Sequence, residues 1–285
     1  MSRKFARKLA IVPAHNEEGA IAATVAAIRR EAADFDVVVI DDGSTDTTAE
    51  TALAAGATVL RMPFNVGIGG AMQSGYLFAE EGDYEIAVQV DGDGQHDPRH
   101  MPELLARLEA EPDLNMVTGS RFLDPAGEGY RSSATRRIGI RVFAHVVSRI
   151  TGRRVTDPTS GFRMTDRRGI ELFARDYPHD YPEVEAILLM HAHRLRSCEV
   201  PVEMRPRLSG TSAISSTQSV YYMIKVLLAI FVSLFRERPV RPSEQEIEEA
   251  EAGKREAAPA KDGPVALEAA PEVALETSSE RLAQG

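Results

Sequence analysis

Residues 86–98 read IAVQVDGDGQHDP. The apolar run from Ile86 to Val90 stops at Asp91, and acidic, amide and glycine residues follow. A short apolar run bounded by turn residues reads as a buried strand. The same arrangement precedes it twice, in LAIVPAHNEE at 9–18 and VVVIDDGSTD at 37–46. Between these runs the spacing turns helical: Ile21, Val25 and Ile28 share one stripe within 19–32. Residues 47–55 and 70–81 are further predicted helices, and Thr58 to Leu60 a further strand. Strands alternating with helices of this length predict an α/β fold, a mostly parallel central sheet with helices on both faces. Polar residues gather just past the carboxyl ends of the strands, where open α/β sheets bind ligands.

Outward from there the pattern loosens. Residues 101–110 read as a helix, 116–118 as a short strand, and 124–135 as a Gly-containing loop. A basic helical segment carries Arg136, Arg137, Arg141 and Arg149, and a helix over 183–193 precedes a strand over 197–202. Residues 220–235, VYYMIKVLLAIFVSLF, form the most apolar stretch, broken by Lys225 and followed by Arg236, Arg238 and Arg241. A spanning helix needs about 20 apolar residues. This one is shorter, so it reads either as a helix docked on protein or as one lying in a bilayer surface. Beyond Pro242 the chain is Ala, Glu and Pro with few large apolar residues, a composition that stays disordered. The expected organisation is therefore 1–218 as a catalytic domain, 219–241 as an apolar helix and 242–285 as an acidic tail.

Charge and cysteine content narrow the function. The net charge of −10 is concentrated in residues 243–285, which hold eleven acidic and four basic side chains. The nearly neutral body gives no electrostatic reason to expect nucleic-acid binding. A single cysteine, Cys198, excludes an internal disulfide and reads as a small buried or half-buried residue. The apolar run after the basic amino terminus spans only Leu9 to Val12, too short for a signal peptide, so a cytoplasmic location is expected.

The candidate chemistry lies in the polar segments. Asp91 and Asp93 stand two apart at a strand end, and Gly92 and Gly94 let the backbone turn so that both carboxylates face one point. Mg²⁺ takes oxygen ligands and shares its shell with substrate phosphates, which two carboxylates and a diphosphate would satisfy. A polar Asp/Gly turn is the competing reading. An EF-hand is not, because Pro102 stands where its closing glutamate would fall. In DDGSTD, Asp41 or Asp42 could accept from a base or ribose, but Ser44 or Thr45 followed by Asp46 also reads as a helix N-cap, and for the segment taken alone that reading is preferred. His15 in PAHNEE is a lone loop histidine. NVGIGGA at 65–71 departs from the dinucleotide fingerprint at Met72 and follows the third strand rather than the first. The chain has neither a P-loop nor a G-x-S-x-G elbow.

PAHNEE, DDGSTD, NVGIGGA, DGDGQHDP, GSRF (119–122) and DPTSGFR (157–163) occur in that order. The series resembles glycosyltransferase family 2, with the GT-A fold, and particularly its dolichyl- or polyprenyl-phosphate sugar synthase branch, over roughly residues 8–215. The resemblance implies a metal-dependent, inverting transfer from a nucleotide-diphosphate sugar. It assigns the nucleoside to Pro13, Ala14, Asn16 and Glu17 and to Asp41 and Asp42, and the donor pocket also to Gly69, Asp91 and Gly92. It assigns Mg²⁺ or Mn²⁺ to Asp91 and Asp93, with Gln95 as a candidate third ligand. Arg121, Arg136, Arg207 and Ser212 match phosphate-contacting positions; Ala213 stands where that branch often has lysine. Glu183 and Glu185 of YPEVE fall where the family places an acidic residue beside the acceptor. Two apart on a helix, they would not share a face.

The implied acceptor is a polyprenyl phosphate reached from the inner face of the plasma membrane, by peripheral contact or through a membrane-protein partner. The alternative is a soluble transferase acting on a polysaccharide, a protein or a small hydroxyl compound. A sugar-1-phosphate nucleotidyltransferase would carry a Gly-rich, Arg-containing loop where PAHNEE stands. A non-catalytic nucleotide-binding partner would not need the complete acidic set. Homo-oligomerisation is left open.

Overall fold

The three runs that end in acidic segments form adjacent parallel strands, β1 (Lys8–Ala14), β2 (Phe35–Asp41) and β4 (Ile86–Gln89). The computed structural model describes residues 3–123, 134–179 and 181–205 together with Lys225 and Leu228, and for 134–138 the backbone alone. The expected features of 219–241 and 242–285, apart from Lys225 and Leu228, lie outside the described residues, as do Arg207 and Ser212. Among the described residues no helix is long and apolar enough to cross a membrane.

The chain winds through α1 (Ile21–Glu31), α2 (Thr48–Ala54), β3 (Thr58–Arg61) and α3 (Gly67–Glu81) before β4. After a short 3₁₀ turn (Pro98–His100) come α4 (Met101–Ala110), β5 (Leu114–Ser120) and α5 (Ala134–Thr151). The sequence then adds β6 (Arg163–Asp166), α6 (Arg167–Arg175), α7 (Pro182–Ala192) and β7 (Arg196–Pro201). The sheet order is β3-β2-β1-β4-β6-β5-β7. All described pairs are parallel except those of β6, which runs antiparallel to both β4 and β5.

Strand side chains alternate between two cores, as a period of two requires. Leu9, Ile11, Val38 and Ile40 face one, with α3, α5, α6 and α7 packed over it. Ala10, Val12, Val37 and Val39 face the other, covered by Ile21, Val25 and Ile28 of α1 and Met101, Leu104 and Leu108 of α4. Burial on both faces is why these strands read as continuous apolar runs. The α/β expectation with helices on both faces holds.

Two elements go beyond the sequence reading. β6 has four residues, RMTD, with charge at both ends, and it is buried because it is wedged between β4 and β5. α6 begins immediately afterwards, capped by the Asp166 carboxylate accepting the Gly169 N–H. α3 starts at Gly67, three residues before the predicted helix. The Asp42 carboxylate accepts the N–H groups of Val66 and Gly67 at 2.7 and 2.9 Å, satisfying donors that a helix start leaves open.

Candidate active site

The direction of winding reverses at β1: β2 and β3 lie on one side, β4 on the other. Such a switch point opens a crevice at the carboxyl ends of the strands. PAHNEE, DDGSTD and DGDGQHDP leave β1, β2 and β4 at that edge. Antiparallel β6 starts at the same edge, pairing Thr118 of β5 with Arg163. Consequently GSRF and DPTSGFR arrive there too.

The first two loops interlock. Asp42 N–H donates to the Ala14 carbonyl, and His15 Nδ1 lies 2.8 Å from the Asp42 carbonyl. Asn16, at φ 55°, accepts the Thr45 N–H through Oδ1 at 2.9 Å, and Glu17 N–H donates to Thr48 Oγ1. Asp41 accepts the Ser44 N–H and lies 3.5 Å from Arg61 Nε. The N-cap of α2 is Thr47, later than the expected Ser44 or Thr45 and without a side-chain capping bond of its own, while Asp46 just before it accepts the Thr48 N–H at 3.0 Å. His15 is likewise a structural tie. Asp41 and Asp42 are buried, and both Asp42 oxygens serve the start of α3.

The third loop docks on the first. Gly92 N–H donates to the Pro13 carbonyl at 3.2 Å, and a Cβ at Gly92 would lie 2.9 Å from that oxygen. Gly94 sits at φ 77°, a left-handed conformation that glycine adopts without strain. Asp93 is 7% exposed, and its Oδ1 accepts the Gln95 N–H at 2.9 Å. Asp91 is more open. Among the described residues no lysine or arginine pairs with it; Gln89 Nε2 donates to its Oδ1, and His96 Nε2 lies 3.5 Å from its Oδ2.

Asp97, 0% exposed, anchors the loop's far end. It accepts from Arg99 at 2.6 and 2.8 Å and from Arg205 Nε at 2.9 Å, while Arg205 N–H donates to the Gln95 carbonyl. Burial alone would raise its carboxyl, but hydrogen bonds from Arg99 and the charges of Arg205 and Arg99 outweigh that and hold it below its ordinary value. The unfolded state therefore binds the proton more tightly, and stability from this group is present above the ordinary aspartate range and lost as pH falls through the folded value. Urea unfolding is expected to show Asp97→Asn less stable than wild type at pH 7, with the gap narrowing below about pH 4.

Gly69, assigned to the donor pocket from sequence, has a packing reason. A Cβ there would lie 2.5 Å from His179 Cα and 2.6 Å from the Pro178 carbonyl, both backbone atoms. Alanine is the better helix former by about 1 kcal/mol, yet overpacking costs about 1–3 kcal/mol. Gly69→Ala is expected to lose up to about 2 kcal/mol in urea unfolding, the balance of those two effects.

Arg121 is committed to a buried fork. Its Nε and Nη2 donate to the two Asp157 oxygens at 2.6 and 2.7 Å, with Thr159 Oγ1 at 2.8 Å. Glu199 fixes the Asp157 loop by accepting the backbone N–H groups of Thr156 and Asp157. Arg163, also buried, donates to the carbonyls of Ser160, Pro182 and Glu183, joining β6 to the first turn of α7. Glu183 stands beside it. Burial pushes the Glu183 carboxyl up, Arg163 offsets part of the rise, and Asp91 adds to it. Glu183 and Glu185 are both half-buried in the first turn of α7, and Glu183 lies within electrostatic reach of Asp91. The backbone of Arg136 lies in α5, where Arg141, His145 and Arg149 form an exposed row continued by Arg153 and Arg154. Sequence reasoning did not single out Arg163, Asp157, Asp97, Gln89 or His96. His96 and Asp97 stood inside DGDGQHDP and Asp157 and Arg163 inside DPTSGFR, so Gln89 alone fell outside the recognised motifs.

Comparison with known proteins agrees with this arrangement. The sequence profile described as "Glycosyl transferase family 2" matches residues 9–173. Undecaprenyl-phosphate mannosyltransferase of Micrococcus luteus is 31% identical over 218 residues, 73% of this chain and 88% of that protein. Polyprenol monophosphomannose synthase of Mycolicibacterium smegmatis is 29% identical over 234 residues, 79% of this chain and 87% of that one. Glucosyl-3-phosphoglycerate synthase of Mycobacterium tuberculosis, solved with Mn²⁺, UDP and glucosyl-3-phosphoglycerate, superposes with a TM-score of 0.62 at 20% identity, covering 80% of this chain and 79% of that one. That likeness establishes the shared GT-A fold. The chain belongs to glycosyltransferase family 2, beside the polyprenyl-phosphate sugar synthases of that family, and is a glycosyltransferase.

Proposed function

We propose that the chain moves a sugar from a nucleoside-diphosphate sugar to a polyprenyl phosphate at the inner face of the plasma membrane, with inversion and with help from Mg²⁺ or Mn²⁺. The observation that carries this reading is the meeting of three acidic loops at the β1/β4 crevice, with Asp91 uncompensated by any described lysine or arginine. Two carboxylates are too few to satisfy a hard cation, and among the described residues no group of three acidic, histidine or cysteine side chains forms a metal cluster. That donor set fits an ion that completes its shell with phosphate oxygens. Asp91, Asp93 and Gln95 would hold it. When bound, such an ion neutralises charge developing on the leaving diphosphate.

The remaining assignments concern the chain's own groups. Pro13, Ala14, Asn16, Glu17, Asp41 and Asp42 would line the nucleoside pocket, and Arg136, Arg207 and Ser212 would meet phosphate. A phosphate acceptor is already ionised and needs no strong base, so Glu183 would orient the acceptor rather than deprotonate it. The lipid acceptor is supported by the activities of the two relatives named above and by the row of Arg141, His145 and Arg149. These side chains have no acidic partner among the described residues and suit an anionic surface.

A panel of nucleotide sugars, each with Mn²⁺, would be screened for thermal stabilisation. A ligand at 100 times its Kd stabilises by about 2.7 kcal/mol. The leading donor is then expected to label polyprenyl phosphate, and EDTA to abolish the reaction. Consumption of that donor only with a water-soluble acceptor would overturn the lipid assignment.

A further inference from the structure

Asp91 is held on both sides by side chains that bring no charge to it. Gln89, a buried residue of β4, donates through Nε2 to Asp91 Oδ1 at 3.0 Å. Asp91 N–H donates to His96 Nδ1 at 3.0 Å. A ring nitrogen that accepts an N–H carries no proton, so the proton of neutral His96 sits on Nε2. That nitrogen lies 3.5 Å from Asp91 Oδ2, longer than a good hydrogen bond but within electrostatic reach. One histidine therefore addresses both the backbone and the carboxylate of the same aspartate.

The packing around this pair fixes it. His96 is 3% exposed, and its ring lies against Phe162 with centroids 5.0 Å apart and planes 17° apart. Neighbouring Gly161 leaves the space: a Cβ there would lie 2.7 Å from Gln89 Nε2 and 3.4 Å from His96 Cε1. A buried amide inside a sheet costs free energy unless it is hydrogen-bonded. Its placement is explained by the bond to Asp91.

We propose that Gln89 and His96 are positioning residues that orient the Asp91 carboxylate toward a divalent cation while leaving its charge uncompensated. A lysine or arginine could hold the carboxylate as firmly, but its charge would compete with the ion. Neutral donors orient without competing. Partners of this kind also raise the affinity of the ligand they support, and their loss weakens metal binding by about 10–100-fold. Gly161 and Phe162 of DPTSGFR then act at the cation site through the two side chains they pack against. The inference rests on Asp91 being a metal ligand.

The test is calorimetric titration of Mn²⁺ into the full-length protein with UDP or GDP, whichever binds, present in excess. Three variants are compared with wild type and with Asp91→Asn. His96→Phe keeps the stack on Phe162 and removes both nitrogens. His96→Asn retains an acceptor near the Nδ1 position. Gln89→Leu removes the amide at similar size. The Mn²⁺ Kd is expected to rise about 10–100-fold in His96→Phe, by about 10-fold in Gln89→Leu and less in His96→Asn. The KM for donor at saturating Mn²⁺ should move less than the Mn²⁺ Kd, a split that general loosening of the fold would not produce. If Asp91→Asn loses Mn²⁺ while Gln89→Leu and either His96 variant bind it like wild type, the positioning role is overturned and the site stands. If wild type does not bind Mn²⁺, or Asp91→Asn binds it unchanged, the site reading falls and the inference with it. If His96→Phe does not fold, Gln89→Leu and His96→Asn decide the question alone.

Discussion

Asp93→Ala is expected to lower sugar transfer by on the order of 10²–10³-fold at saturating Mn²⁺ and donor, with a melting temperature close to wild type. The carboxylate of Asp93 is buried in the turn after β4, where its Oδ1 accepts the Gln95 N–H. On the proposed metal assignment, alanine removes one oxygen ligand from a set that would have only Asp91 and Gln95 besides. The stabilisation lost is therefore that of charge developing in the transition state, so kcat falls more than donor KM rises. Stability is little affected because the loop remains anchored elsewhere, by Gly92 on the Pro13 carbonyl and by Asp97 between Arg99 and Arg205. Near-normal turnover of Asp93→Ala would remove the residue from the reaction.

The largest stability loss is expected from Arg121→Ala. Side chains of Arg121 and Asp157 are 6% and 0% exposed and form a two-pronged pair at 2.6 and 2.7 Å. Deleting the arginine leaves a buried carboxylate with its charge unmatched, a change that costs about 3–5 kcal/mol. For a body of about 200 residues this corresponds to a fall in Tm of roughly 6–20 °C. The double replacement Arg121→Met with Asp157→Leu should recover much of that loss, because no charge is then stranded. Differential scanning calorimetry of the two single variants and the double variant reads both effects. Equal losses in the single and double variants would show that packing rather than charge governs this site.

Much of the fold is legible because β1, β2 and β4 are buried on both faces and appear as uninterrupted apolar runs. Each run ends in polar residues at the same sheet edge, which is why the order of the motifs also locates the site. β6 is opaque for the opposite reason. RMTD has one large apolar residue, and only the gap between β4 and β5 makes it a strand. α6 did carry a usable signal in Ile170, Phe173 and Ala174 at helical spacing behind the Asp166 cap. The partners of Arg121, Asp97 and Arg163 were not legible. Apart from Arg99 beside Asp97 and the Ser160 carbonyl near Arg163, these contacts join distant segments, and nothing near an arginine in sequence tells which carboxylate or carbonyl it will meet. Arg163 fastens the first turn of α7, which carries both Glu183 and Glu185, through a contact that likewise joins residues far apart in sequence.

The role of Asp42 shows how one residue can satisfy two readings. Its place after β2 suggests a nucleoside contact, while its oxygens hold the start of α3 at 2.7 and 2.9 Å. A carboxylate oxygen can accept more than one hydrogen bond, so capping and ligand contact are compatible. The burial that fixes it also makes that edge of the crevice rigid.

On the proposed reading, Asp91 and Asp93 hold a divalent cation against the donor diphosphate. Anomalous scattering from Mn²⁺ in crystals grown with the nucleoside diphosphate that stabilises the protein tests it most directly. A single strong peak is expected about 2.0–2.4 Å from oxygens of both Asp91 and Asp93 and of the diphosphate. A fully occupied nucleotide with no peak at these carboxylates, or with the ion bound elsewhere, would contradict it.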